Sequence, residues 1–162
     1  MTAKRLGMLA VCVLGLVFTL GAAQAGATGS PRVLKLIDHH IVATPVGFSE
    51  SSSAIPPIGA REVFTGLLLS DVPEFGKPVG AAVGHILLDC TVLTETPDGL
   101  CTGIAHVPDG FFTFAGNGPF TNTTVRYYAI TGGVGPYAQA RGELKVTIIS
   151  VGRSLIQVTL YP

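Results

Sequence analysis

The chain has 162 residues, 10 basic and 10 acidic, with 12% charged against 48% hydrophobic side chains. The charge is balanced and forms no basic cluster, which excludes a nucleic-acid footprint of the electrostatic kind. So little charge suits a chain that buries strands on both faces, or one whose outer surface is covered in an oligomer.

Lys4 and Arg5 open the chain, Leu6 to Leu20 is almost wholly apolar, and Ala23-Gln24-Ala25 puts small residues where a signal peptidase reads. Residues 1–25 are therefore expected to be a cleaved secretory signal. The apolar run falls short of the roughly 20 residues that span a bilayer, so no stable membrane span is expected. Residues 26–162 then form a single secreted or periplasmic domain with one core. Cys12 leaves with the signal, and Cys90 and Cys101 remain. An even pair in an exported chain reads as a disulfide ahead of a metal site or a catalytic thiol. Two free buried cysteines are the alternative.

Pro31 to Ala43 is β-rich. Lys35 is expected to face solvent, which sends Leu34, Leu36, Asp38, His40 and Val42 to the opposite face. His39 and His40, as neighbours, are expected on opposite faces. Gly47 to Gly59, with Ser51, Ser52, Ser53, Pro56 and Pro57, is a loop long enough to serve as a rim or lid. Further strands are expected at Arg61 to Leu69, Val83 to Thr94, Leu100 to Val107, Phe111 to Ala115, Thr124 to Thr131, Arg141 to Ser150 and Ser154 to Tyr161. The turns Pro97-Asp98-Gly99 and Pro108-Asp109-Gly110 are hairpin signals: Pro presets φ, Asp bonds back to the chain, and Gly accepts positive φ. No amphipathic helix pattern of useful length interrupts these strands.

Eight short strands joined mostly by tight turns make an antiparallel all-β domain, a sandwich or a barrel. Eight strands suit a closed barrel, wide enough inside for side chains or one small ligand. Cys90 and Cys101 face each other across the first Pro-Asp-Gly turn. A tight turn leaves them out of register by a few residues, whereas a wider loop from near Leu93 pairs them directly.

Several segments together resemble the allene oxide cyclase and dirigent barrel superfamily, a calycin-like architecture, and its small exported bacterial members in particular. They are Gly76-Lys77-Pro78-Val79-Gly80, Cys90-Thr91-Val92, Cys101-Thr102-Gly103, Val107-Pro108-Asp109-Gly110 and the stretch from Ala129 to Gly142. In the last stretch Val134 stands where the family pattern has threonine. The resemblance implies an eight-stranded antiparallel barrel, often trimeric, with a ligand cavity in its mouth. It also implies isomerase or cyclase chemistry, or stereoselective coupling, in which a reactive intermediate is shaped by an apolar pocket. Arg126 holds the place of a dirigent arginine six residues before the glycine pair. The acidic partner would fall at Pro119, which cannot act as an acid, and the first-strand acid corresponds to Asp38 or, one register over, His40.

Arg126, Tyr128 and Ile130 share one face of the sixth strand. If that face is interior, Arg126 and Tyr128 are donors for an oxyanion or enolate. The structural alternative pairs Arg126 with Asp38 or Asp89. Asp38 and His40 are an acid–base candidate lining the same cavity, against a water-exposed pair at the barrel rim, and the rim pair is preferred. His85 and His106 have no ligand-like spacing, so neither a metal nor a cofactor is expected. Gly132-Gly133-Val134-Gly135 lacks the lysine and the helix of a phosphate loop and reads as a structural corner. Asn122-Thr123-Thr124 is a glycosylation sequon, relevant in a eukaryote. Three readings follow: a barrel that guides cyclisation or isomerisation of an apolar molecule, a lipocalin-like binding module without chemistry, and a filled structural barrel forming a homotrimer or homodimer.

Overall fold

A computed structural model describes residues 30–47, 56–94, 98–119 and 125–162. The expected secretory signal, the serine-rich part of the first loop and the sequon lie outside the described residues. The strands are β1 (Arg32–Val46), β2 (Arg61–Ser70), β3 (Ala82–Val92), β4 (Asp98–Val107), β5 (Gly110–Pro119), β6 (Val125–Val134), β7 (Arg141–Ser150) and β8 (Arg153–Tyr161). Each pairs antiparallel with its neighbour in sequence, and β1 pairs with β8 to close the barrel. The eight expected strands are all present, with ends that differ by a few residues. A short 3-10 turn, Gly135–Tyr137, was not expected.

One end of the barrel is solid. Leu34, Leu68, Val83, Phe112, Ile130, Leu144 and Val158 fill it from the inward positions of their strands. Tyr137 plugs this end and is completely buried, with its ring 5.5 Å from that of Phe112. Its hydroxyl donates to Asp109 at 2.9 Å. Arg32 lies 3.6 Å from the same carboxylate, with its guanidinium 5.8 Å from the centre of the Tyr137 ring. Burial first, and then the bond to Asp109, raise the Tyr137 hydroxyl above its ordinary pKa. The glycine corner seats this plug. A Cβ at Gly133 would stand 2.2 Å from the Phe111 carbonyl oxygen and 2.6 Å from the Tyr137 Cβ, so only glycine allows the approach.

The two cysteines pair. Cys90 sits directly opposite Cys101 on β3 and β4, with their Cα atoms 4.0 Å apart, and the two are joined as a disulfide. Pairing runs on to Val92 and Gly99, and the Leu93 amide donates to the Asp98 carbonyl at 2.8 Å. The connection is therefore the wider one, which brings the cysteines into register.

The expected alternation along β1 breaks. Its register against β2 passes from His39 opposite Leu67 to Val42 opposite Thr65, so one extra residue bulges from β1. His40 takes a left-handed φ of 56°. Past that point the inward and outward positions exchange. Ile41 turns inward, while His40 and Val42 are exposed rather than interior. The bulge also brings the His39 and His40 rings to 4.0 Å, edge to face, instead of sending them to opposite faces.

Candidate functional site

The other end of the barrel is hollow. A cavity of about 280 Å³ opens there, between the inner faces of β1, β2, β3, β5, β6, β7 and β8. Its walls are mostly apolar: Phe64, Ile86, Leu88, Phe114, Val146 and Ile156. Asp38, Arg126, Tyr128 and Ser154 supply polar groups among them. A filled barrel is thus not what the interior of this end shows.

Asp38 follows Leu36 on the inner face of β1, opposite Leu68 of β2 and Ser154 of β8. Its carboxyl occupies the space that a side chain at position 66 would need. A Cβ on Gly66 would lie 1.8 Å from Asp38 Oδ1. A lone glycine inside a strand often marks such a close approach, and this one makes the pocket for the acid. Oδ1 is buried and has no hydrogen-bond partner among the described residues. Burial pushes the Asp38 pKa from 3.8 up to about 7, because the charged form loses its hydration with nothing to replace it. The group is therefore half protonated near neutrality, where an acid–base catalyst works best.

Arg126 and Tyr128 enter from β6, as alternation requires. Tyr128 is buried, with its ring edge-on to Phe114 at 5.5 Å. Arg126 lines the cavity, and its Nε is buried without a hydrogen-bond partner among the described residues. The structural pairing considered for it is not seen. Asp89 instead forms its salt bridge with Arg61, and among the described residues no salt bridge joins Arg126 to Asp38. Of the four expected site residues, the fold thus gathers Asp38, Arg126 and Tyr128. It excludes His40, which does not line the cavity because the β1 bulge gives its inward place to Ile41. Ser154 and Gly66 belong to the site and were missed. Gly66 had a signal in its isolation within a strand, whereas Ser154 had none.

His85 and His106 face each other across β3 and β4 with rings stacked at 4.6 Å. Among the described residues no three ligand-type side chains cluster as a metal site would require. Nor is any helix there long and apolar enough to cross a membrane.

No family model and no curated protein matches the chain. Solved structures do. A pyocyanin demethylase superposes with a TM-score of 0.65 at 21% identity, over 80% of this chain and 99% of its own. A pterocarpan synthase dirigent protein gives 0.61 at 17% identity, over 82% and 88%. The Diels-Alderase AbmU from Streptomyces koyangensis gives 0.64 at 16% identity, over 80% of this chain but 63% of its own, so the chain spans less than two thirds of that enzyme. The protein is accordingly an eight-stranded barrel with the fold of the dirigent proteins and the cyclase barrels.

Proposed function

We propose that the protein binds a small apolar molecule in the hollow end of its barrel and guides its cyclisation or isomerisation. One observation carries this reading: a buried, unpartnered carboxyl oxygen of Asp38 and a buried, unpartnered Nε of Arg126 line the same apolar cavity. Buried polar groups are ordinarily satisfied, and those that are not often serve chemistry. Arg126 and Tyr128 donate to an oxygen on which negative charge grows, as a carbonyl becomes an enolate or enol. Asp38 takes the proton from the adjacent carbon and returns it elsewhere on the same molecule, so the product keeps the mass of the substrate. The apolar walls hold the chain of the molecule folded, and that orientation lowers the barrier further. The dirigent and Diels-Alderase neighbours support the reading, since coupling and cycloaddition also depend on confinement. The disulfide fits export to an oxidising compartment, secreted or periplasmic. Self-association as a homotrimer or homodimer belongs to the same proposal.

The test is incubation with extracts of the producing organism, followed by mass spectrometry for a product of unchanged mass. Removing one preorganised donor typically costs about 10²–10³ in kcat, which is the loss expected of Arg126→Ala. Turnover retained in that variant removes Arg126 from the mechanism. A compound retained by the protein but never converted leaves the binding-module reading instead.

A further inference from the structure

We propose that the barrel wall has a side window between β5 and β6, and that this window is a subsite for the anionic end of an amphipathic ligand. The proposal rests on the central cavity holding the apolar body. Pairing between β5 and β6 ends at Ala115 opposite Ala129. Beyond it, among the described residues, Gly116–Pro119 pairs only with β4 and Val125–Tyr128 only with β7. Two glycines mark where the strands part. A Cβ at Gly116 would still meet the Tyr127 carbonyl oxygen at 2.9 Å, whereas one at Gly118 would meet no atom of the described residues within 4 Å.

A second hollow of about 220 Å³ fills this gap, with Asn117 and Gly118 on one side, Arg126 and Tyr127 on the other, and Cys101 in its wall. Arg126 lines both this hollow and the central cavity, so the residue is shared between the two. The two sides differ in charge. Asp38 and Glu62 line the central cavity, but no carboxylate is among the described residues lining the window. Outside, Lys145 places its ammonium 6.0 Å from the centre of the Tyr127 ring. A carboxylate or sulfonate in the window therefore meets Arg126, the Asn117 amide and a nearby second cation, with no carboxylate among the described residues that line it. A charge-assisted hydrogen bond is among the stronger contacts available to such a group. An apolar tail attached to it would reach past Arg126 toward Asp38.

Two fluorescent probes separate the subsite from the cavity. 1-Anilinonaphthalene-8-sulfonate and N-phenyl-1-naphthylamine share an apolar body and differ in the sulfonate. At pH 6 the full chain is expected to bind both, each displacing the other, with the sulfonate tighter by roughly tenfold. Arg126→Gln should remove that preference, bringing the ratio of the two affinities close to one. Gly118→Phe, placed where a side chain has open space, should fill the window and have the same effect. Equal affinities in the unaltered protein would overturn the subsite while leaving the cavity reading intact. A sulfonate preference that survives Gly118→Phe would move the anion out of the window and also overturn it. Failure of both probes to bind would sink the cavity reading and the subsite with it.

Discussion

Asp38 shows how little is needed to change an acid. Its neighbours contribute no charge and no hydrogen bond to Oδ1, only the exclusion of water, and that moves its pKa to about 7. The sign of the stability effect follows from proton counting. Between about pH 4 and pH 7 the unfolded chain has lost this proton while the barrel keeps it. The folded state then binds more protons, so stability falls as pH rises through that window and levels off above it. Asp38→Asn cannot ionise. Its thermal unfolding curve should lack this fall, and near pH 8 it should be more stable than the parent by roughly 2–4 kcal/mol. Melting temperatures of the two proteins measured from pH 4 to pH 8 would show the divergence. Parallel curves would mean that water or a cation reaches the carboxyl.

At the scale of elements, the β3–β4 hairpin is the part of the hollow end held by a covalent bond. Cys90 and Cys101 are 11 residues apart and lie on the inner face, so the disulfide both closes a short loop and walls the second hollow. Loop-closure entropy for so short a loop amounts to about 3 kcal/mol. The Cys90→Ala, Cys101→Ala double variant should lose about that much, read as a lower urea midpoint with a slope equal to or steeper than the parent's. The β1 bulge is the corresponding device on a strand that only β2 separates from this hairpin, without a covalent bond. By inserting one residue after His39 it turns His40 out and Ile41 in. The Tyr137 turn completes the set, closing the solid end so that the hollow end alone is open.

For the whole molecule, strand number and order were legible because apolar alternation and the Pro-Asp-Gly turns are local signals, whereas closure was expected from the count of eight strands and the family resemblance. Arg126 and Tyr128 were legible for the same reason, since an unbroken strand carries them inward together. The bulge was not. Nothing in His39-His40-Ile41-Val42 marks an extra residue, and the insertion shows only against the partner register of β2. Ser154 was hidden because its nearness to Asp38 arises from the pairing of β1 with β8, between residues far apart in sequence. The direct pairing of Cys90 and Cys101 likewise waited on the width of one loop. That β1–β8 seam has a further consequence. Every other seam joins consecutive strands and can form by short-range zipping, but this one needs both ends of the ribbon to meet, at the greatest loop-closure entropy. It should therefore form after the rate-limiting barrier. Leu34 is fully buried and pairs across that seam with Val158, but has no partner on β2. Leu34→Ala should cost about 2–5 kcal/mol and express nearly all of it as faster unfolding, with the refolding rate in stopped-flow almost unchanged. A slowed refolding limb would instead place the meeting of the ends before the barrier, and make circle closure the event that nucleates the barrel.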